Sequence, residues 1–232
     1  MSAMPTQSAQ DAEKQVAARA AVALVKAGQV VGLGTGSTAN YAVRFLAERV
    51  QGGLKIRGIP TSERTRDLAA SLGIPMITLE DSPEIDIGID GADEFDPHLN
   101  LIKGGGGALL REKIIASAAR MFVIIADSGK QVPVLGKFPL PVEVIPLAEP
   151  VLKTRIAALG AKVKLRTYAY GNPFKTDEGH HIFDCEFGQI PDPASLARAL
   201  SDMPGVVEHG LFIGMAKLVL VGKGSEVIEV RA

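Results

Sequence analysis

The sequence predicts an α/β fold: a mostly parallel sheet with helices on both faces, followed by a smaller α+β lid domain. The first observation behind this prediction is that short apolar runs alternate with helical segments through residues 8–127. Such alternation is typical of parallel strands joined by crossover helices. The second observation is a cluster of prolines, at positions 133, 139, 141, 146 and 150. These prolines exclude a long helix and indicate a crossing between two units.

The elements of the first half follow from apolar periodicity and from residues that start or end helices. The first helix is alanine-rich and is followed by Gly28, a residue that suits a helix terminus. The predicted helices cover residues 8–27, 37–50, 62–73 and 108–119. The predicted strands cover residues 29–34, 55–59, 76–79, 85–90 and 121–127.

The second half mixes strands and helices in a way that favours a small α+β unit. Its predicted helices cover residues 149–159 and 193–202. Its predicted strands cover residues 162–167, 181–187 and 206–213. The apolar runs 217–223 and 226–231 are expected to return to the main sheet or to pair at its edge. We therefore expect a main domain of residues 1–134 and 207–232 and a lid domain of residues 135–206.

Composition argues against several classes of function. Lysine and arginine number 25 against 26 acidic residues, so no overall positive field attracts nucleic acid or an anionic membrane. Tryptophan is absent and aromatic residues make up 5%, which leaves few platforms for stacking bases. Cys185 is the only cysteine, which favours a buried, inert thiol in a reducing cytosol. The amino-terminal residues lack a run of signal-peptide type, so we expect no membrane association.

The segment GLGTGSTA at residues 32–39 is the first candidate for ligand binding. It joins a predicted strand to a helix, so its backbone N–H groups could surround a phosphate while Thr35, Ser37 and Thr38 offer hydroxyls. The spacing also fits a loose dinucleotide fingerprint or a purely structural turn. The second strand, however, ends in Pro60 rather than in the acidic residue that usually holds a ribose, which weakens the dinucleotide interpretation.

The segment DGADE at residues 90–94 is the second candidate. Asp90 ends a predicted strand and Asp93 follows three positions later, at the carboxyl edge where open α/β sheets bind ligands. Two neighbouring carboxylates can divide into acid and base or hydrogen-bond sugar hydroxyls. They could equally be turn-forming or helix-capping aspartates.

The segment KGGGGALLREK at residues 103–113 is the strongest candidate. Four consecutive glycines are entropically unfavourable to order, which suggests a close approach of the main chain to a ligand rather than a flexible linker. Lys103 supplies a positive charge, and Glu112 supplies a carboxylate that can take a proton if both face one pocket. Arg111 and Lys113 are expected to be solvated or paired on the surface.

Further candidates are weaker. Lys130 follows the strand that ends at Asp127 and could reach the same sheet edge, although it could also be an ordinary surface lysine. The four histidines lack the spacing of metal ligands, and His180 and His181 are expected to point to opposite faces of a strand. We therefore predict no metal and no cofactor.

Five segments, in order along the chain, closely resemble the A-type ribose-5-phosphate isomerase family. They are GLGTGSTA, TSERT, DIGIDGADE, NLIKGGGGALLREK and IADSGKQVPVLGKFPLPVEVIP. The resemblance spans roughly residues 14–223 and implies a Rossmann-like main domain with a ferredoxin-like lid that also serves in oligomerisation. It further implies a cytoplasmic homo-oligomer, a dimer or a tetramer. The implied activity is metal-free interconversion of ribose 5-phosphate and ribulose 5-phosphate in the pentose phosphate pathway.

The resemblance also implies roles for individual residues. The family's general base corresponds to Glu112, with Lys103 and Asp90 as further catalytic residues. The implied substrate-binding residues are Thr35, Gly36, Ser37, Thr38, Asp90, Gly91, Ala92, Asp93, Lys103, Gly104, Gly105, Gly106, Lys130 and, in the first helix, Lys14. The charged positions match throughout, and the small departures are at Gly107, Leu110 and Gly129.

Two other functions fit parts of the sequence. A non-enzymatic sugar-phosphate sensor would have a similar α/β fold, but no DNA-binding helix-turn-helix is evident at either end. An NAD-dependent oxidoreductase would use the glycine turn differently and would be stabilised by NAD. The placement of Lys103 and Glu112 favours proton-transfer chemistry over sensing.

Overall fold

The computed structural model describes residues 7–231. In that range the helices are α1 (Gln7–Ala23), α2 (Ser37–Gln51), α3 (Glu63–Ser71), α4 (Leu109–Ala118), α5 (Glu149–Ala158) and α6 (Pro193–Ser201). The strands of the first half are β1 (Val30–Leu33), β2 (Arg57–Pro60), β3 (Ile85–Gly91), β4 (Glu94–Phe95), β5 (Leu101–Ile102) and β6 (Ala119–Asp127). The later strands are β7 (Leu140–Val144), β8 (Lys162–Leu165), β9 (His181–Glu186), β10 (Val206–His209), β11 (Leu211–Phe212), β12 (Leu218–Lys223) and β13 (Glu226–Arg231).

The main sheet has six strands in the order β13-β12-β6-β3-β1-β2. Its strands are parallel except for β13, which pairs antiparallel with β12 at the edge. Alternate residues of β6 face opposite sides: Val123 and Ile125 pack with α1 and α2, whereas Phe122 and Ile124 pack against Ala116 of α4. The sheet is therefore covered on both faces, and the predicted α/β class is confirmed.

The small subdomain is built on an antiparallel sheet with the order β10-β7-β9-β8. Helices α5 and α6 cover one side of it, with Leu152, Ile156 and Leu200 buried in its core. A third sheet has the order β11-β5-β4, and each of its strands has only two residues. Along the chain, β4 directly follows β3 of the main sheet, and β11 directly follows β10 of the small sheet. No helix in the described range 7–231 is long and apolar enough to cross a membrane.

Two predicted strands were wrong in detail. Residues 76–79 form only an isolated bridge between Met76 and Gly58, not a strand. Residues 206–213 divide at Gly210 into β10 of the small sheet and β11 of the short sheet. The Gly210 amide donates to Pro141 and its carbonyl accepts from Lys103, and a side chain at this position would overlap the Lys103 carbonyl. The small sheet thus extends to His209, past the predicted boundary at residue 206, while the division into domains stays a prediction.

Candidate active site

The site is formed by loops that leave the carboxyl ends of three neighbouring parallel strands. Strands β1, β3 and β6 are adjacent in the main sheet, so the loops after Leu33, Gly91 and Asp127 emerge at the same edge. The Gly34 amide donates to the Ile89 carbonyl (2.9 Å), which extends the contact between β1 and β3 into the first loop. A side chain at Gly34 would overlap Asp90, so only glycine allows this approach.

The first loop presents the amino terminus of α2 to the site. Gly36 has a φ of 113°, a conformation that favours glycine, and helix α2 has no side-chain cap at this end. The first N–H groups of α2 therefore lack a capping side chain and can donate hydrogen bonds to an anion. The Thr35 hydroxyl is held by Thr61 (2.7 Å) and Ser62 (2.8 Å), which makes the loop rigid.

A buried lysine links two buried carboxylates at the base of the site. Nζ of Lys103 lies 3.0 Å from Oδ2 of Asp90 and 3.3 Å from Oε2 of Glu112, and it donates to the Gly91 carbonyl (2.6 Å). Oδ1 of Asp90 accepts from the amides of Thr35 (3.0 Å) and Gly91 (2.7 Å). Apart from Lys103, the two carboxylate oxygens that face it have no polar partner among residues 7–231. The ammonium therefore faces two buried carboxyl groups at once.

Burial changes the proton affinities of this group. Burial raises the pKa of Glu112 to about 8; the Lys103 ammonium opposes this change and the nearby carboxylates Asp90 and Asp93 reinforce it. Burial likewise raises the pKa of Asp90, against the influence of Lys103. For Lys103, burial alone would lower the pKa, but the attraction of Asp90 and Glu112 raises it above its ordinary value. Lys103 is thus a permanent cation, whereas Glu112 exchanges a proton near neutral pH.

The glycine loop lines the same cavity as the start of α2. Gly104 has a φ of 98°, and the Gly105 amide donates to Oδ2 of Asp93 (2.7 Å). Asp93 is itself attached to the sheet, because its amide donates to the Ile102 carbonyl (2.9 Å). The loop then enters α4, whose first turn carries Glu112. Glycine is required at position 105 because an added Cβ would lie 2.6 Å from Oδ1 of Asp93.

Lys130 reaches the site from a short 3₁₀ helix, Ser128–Lys130, that follows β6. Glu13 of α1 holds this segment by accepting from the amide (3.0 Å) and the hydroxyl (2.8 Å) of Ser128. Lys14, the neighbouring residue, is paired with Asp11 (3.2 Å) and does not line the cavity. The structure therefore brings Lys130 into the site and leaves Lys14 outside it.

Nearly all the predicted site residues surround one open cavity. They are Thr35, Gly36, Ser37, Thr38, Gly91, Ala92, Asp93, Lys103, Gly104, Gly105, Gly106, Glu112 and Lys130. Asp90 lies just below the cavity wall and is 1% exposed, so it acts on the cavity through Lys103 and the Thr35 and Gly91 amides.

The prediction for two charged neighbours is partly corrected. Arg111 is paired, as expected, with Glu63 (2.7 Å) and Glu178 (2.5 Å). Lys113 is not a surface residue: its side chain is 15% exposed, pairs with Glu208 (2.7 Å) and donates to the His209 carbonyl (2.6 Å). The small subdomain covers this face of α4, which the local sequence does not indicate.

One contact of the glycine loop was absent from the sequence prediction. The Arg166 guanidinium, next to β8 of the small subdomain, donates to the carbonyls of Gly104 (3.0 Å) and Gly105 (3.3 Å). Arg166 stands 61 residues from the loop, and no local motif marks it. Only the docking of the small subdomain brings it there.

The fold and the cavity define an α/β protein with a pocket at the carboxyl edge of its sheet, lined by an uncapped helix terminus, two lysines and a buried carboxyl group. The family model of ribose 5-phosphate isomerase A, or phosphoriboisomerase A, matches residues 57–226 of the chain. The chain belongs to this family and is an isomerase.

Relatives and solved structures agree over nearly the whole chain. Ribose-5-phosphate isomerase A of Parvibaculum lavamentivorans is 53% identical over 227 residues, which cover 94% of this chain and 98% of that protein. The structure of ribose 5-phosphate isomerase A from Methanocaldococcus jannaschii is 42% identical with a TM-score of 0.91 and covers 94% of this chain and 98% of its own. A D-ribose-5-phosphate isomerase in complex with phospho-erythronic acid is 38% identical with a TM-score of 0.93, covering 99% and 100%.

Proposed function

We propose that the chain interconverts D-ribose 5-phosphate and D-ribulose 5-phosphate through an enediolate, with Glu112 as the general base. The observation that carries this proposal is the buried Glu112 carboxylate at the cavity wall, with Lys103 3.3 Å away. A carboxylate with a pKa of about 8 is a far stronger base than an ordinary glutamate. Glu112 is thus suited to accept a proton from a carbon atom of the substrate near neutral pH.

The reaction moves two protons on an open-chain sugar. Glu112 removes the proton on carbon 2 of the aldose, and the electron pair forms a double bond between carbons 1 and 2 while charge moves to the aldehyde oxygen. The hydroxyl proton on oxygen 2 passes to oxygen 1, and Glu112 returns its proton to carbon 1. The product is the ketose, and one base serves both directions.

The developing oxyanion needs a partner, because a carbon-bound proton next to a carbonyl is only weakly acidic. Lys103 supplies a fixed positive charge, and the Gly106 N–H of the glycine loop, which lines the same cavity, supplies a hydrogen-bond donor. Removing one such donor from an enzyme typically costs about 3 kcal/mol of transition-state stabilisation. Lys103 stays protonated because Asp90 holds it, so its charge is available throughout the reaction.

Substrate recognition divides between two ends of the cavity. The uncapped amino terminus of α2, with Ser37 and Thr38, suits the phosphate, and Lys130 adds a positive charge. Asp93, which lines the cavity, is suited to hold sugar hydroxyls and to move a proton during ring opening, whereas Asp90 contributes through Lys103. The homologous isomerase in complex with phospho-erythronic acid supports a phosphorylated sugar as the ligand class.

The decisive experiment measures ribulose 5-phosphate formation from ribose 5-phosphate in excess EDTA, for wild type and for Glu112→Gln. We expect activity in wild type and a loss of about 10³-fold in kcat for the variant. Phospho-erythronic acid should still bind the variant, because the amide keeps the shape of the site. Glu143→Gln is the matched control, since Glu143 is equally buried but lies in β7 outside the cavity.

Each outcome has a distinct meaning. Full turnover by Glu112→Gln would refute the assigned base. A folded wild type that binds phospho-erythronic acid but does not isomerise ribose 5-phosphate would favour a sugar-phosphate sensor. Stabilisation by NAD, seen as a rise in Tm, would favour the oxidoreductase alternative. The cytoplasmic location, the homo-oligomeric state and a role in the pentose phosphate pathway remain predictions beside this proposal.

A further inference from the structure

The main chain of the glycine loop is held from both sides. The Gly104 carbonyl and the Gly105 N–H belong to one peptide group, which is trans, so they point in opposite directions. Arg166 Nη1 binds the carbonyl at 3.0 Å, and Asp93 Oδ2 accepts from the N–H at 2.7 Å. The plane of this peptide group is therefore fixed at both ends.

The next peptide group is held on one side only. Arg166 Nη1 also approaches the Gly105 carbonyl at 3.3 Å, and the N–H of the same peptide group belongs to Gly106. Because this group is also trans, the Gly106 N–H points away from Arg166, to the side where Asp93 lies. Within residues 7–231 the Gly106 N–H has no hydrogen-bond partner, and Gly106 lines the cavity. Gly106 thus contributes a backbone donor without a protein partner in this range to the cavity lining.

Arg166 is itself firmly placed. Its guanidinium forms two hydrogen bonds with Asp184 of β9, Nε to Oδ2 (3.0 Å) and Nη2 to Oδ1 (2.5 Å). The side chain is 14% exposed, and the guanidinium lies over the Phe174 ring. Such a paired arginine has one geometry, which a lysine cannot reproduce. The small subdomain thus presents a rigid donor to the back of the loop.

We infer that Arg166 is a positioning residue that aims the Gly106 N–H at the substrate and so completes the set of donors for the enediolate. This inference rests on the proposed function, because it assigns the glycine loop to the reacting end of the sugar. Arg166 itself faces the back of the loop and touches no substrate. Arg166 connects the small subdomain to the glycine loop through its hydrogen bonds to the Gly104 and Gly105 carbonyls.

The test compares Arg166→Met and Arg166→Lys with wild type in three measurements: kcat and KM for ribose 5-phosphate, the Kd of phospho-erythronic acid, and the Kd of inorganic phosphate. The carboxylate of phospho-erythronic acid presents negative charge where the enediolate would, whereas phosphate reports only the α2 end. For Arg166→Met we expect kcat to fall about 10- to 100-fold and the Kd of phospho-erythronic acid to rise similarly. The Kd of inorganic phosphate should stay unchanged. Arg166→Lys should give a smaller loss in the same direction.

Arg155→Met is the matched control. Arg155 lies on α5 of the same subdomain and forms no ion pair or side-chain hydrogen bond with another residue of the range 7–231. Wild-type kcat and phospho-erythronic acid affinity in Arg166→Met would overturn the inference, even with a lowered Tm, because they would leave Arg166 a purely structural role. If Arg166→Met does not fold, unchanged values in Arg166→Lys would overturn it equally.

The test also separates this inference from the proposed function. Full turnover by Glu112→Gln would refute the assigned base, yet the phospho-erythronic acid affinities would still report on the loop. An active wild type with an inactive Glu112→Gln and an unaffected Arg166→Met would leave the proposed function standing and remove the role of Arg166.

Discussion

Lys103 and Asp90 form an ion pair of 3.0 Å in which each side chain is only 2% exposed. The charge of either partner would be very unfavourable alone at this depth, so each keeps the other ionised. Because Asp90 also accepts two backbone amides, the pair connects the loops after β1 and β3 to the reacting end of the cavity. The same contact therefore contributes to both the fold and the chemistry.

Removing the charge of Lys103 should destabilise the protein as well as inactivate it. We expect Lys103→Met to lower the free energy of unfolding by about 3 kcal/mol at pH 7.5, because Asp90 and Glu112 lose their shared cation. Urea denaturation measures this change. Adding Asp90→Asn should recover part of the loss, whereas Lys130→Met, on the cavity rim, should leave stability within about 0.5 kcal/mol of wild type. A stable Lys103→Met would contradict the coupling.

The pH dependence of kcat/KM should report the ionisation of Glu112. A base acts only when deprotonated, so activity is lost as the pH falls through its pKa of about 8 in the free enzyme. Asp93→Asn should move this acid limb to lower pH, because the negative charge of Asp93 helps to raise the Glu112 pKa. Asp67→Asn, a change at an exposed carboxylate, is the control and should not move the limb. An acid limb at the same pH in Asp93→Asn would show that the charge of Asp93 does not influence the pKa of Glu112.

A methyl group on the glycine loop should disturb Asp93. An added Cβ at Gly105 would lie 2.6 Å from Oδ1 of Asp93, so Gly105→Ala must displace this carboxylate. We expect kcat/KM to fall by at least about 10-fold. At Gly106 the nearest atoms to an added Cβ are the Thr35 methyl at 3.6 Å and an Arg64 nitrogen at 3.7 Å, so Gly106→Ala should have a smaller effect. Equal effects of the two variants would argue against the role of Asp93.

Glu13 should stabilise the protein in a pH-dependent way. Burial would raise the pKa of Glu13, but hydrogen bonds from Gly224 and Ser128 lower it below its ordinary value of 4.5. A lowered pKa in the folded state contributes stability that is present above pH 4.5 and lost as the pH falls through the folded pKa. Glu13→Gln should therefore cost about 1–3 kcal/mol at pH 7 and progressively less in acid.

Urea denaturation at pH 7 and at pH 3 measures this effect of Glu13. The control is Asp11→Asn, an exposed carboxylate of the same helix. A loss of stability that is the same at both pH values would show that the charge of Glu13 is unimportant. The KM of Glu13→Gln should also rise, because the Ser128 segment carries Lys130 into the cavity.

The sequence predicts the main sheet well because its strands are apolar runs bounded by glycine, proline or aspartate. The runs that became β1, β3 and β6 are buried on both faces and leave little ambiguity. Residues 76–79 look equally apolar but pair with Gly58 at one position only. The two-residue strands β4, β5 and β11 have no periodicity to recognise and depend on the contact between the subdomains.

The site was predictable to the extent that its residues follow consecutive parallel strands, since the ends of such strands meet at one edge. Lys103 and Glu112 could be placed together because a short glycine loop joins them. Arg166 and the burial of Lys113 could not be predicted, because both depend on how the small subdomain packs against the loop and α4. Lys14 is paired with Asp11 and is not among the residues that line the cavity, and nothing in the local sequence indicates this.

The contact between α1 and β12 has a consequence for the synthesis of the chain. Glu13 accepts from the amide of Gly224, 211 residues away, and a side chain at Gly222 would overlap the Glu13 backbone. A growing polypeptide emerges from the ribosome amino end first. Until residues 218–224 have been synthesised, α1 therefore lacks its contact with β12, and the edge of β6 that pairs with β12 has no neighbouring strand. Glu13, which holds the Ser128–Lys130 segment, therefore gains its contact with Gly224 only after residues 218–224 have been synthesised.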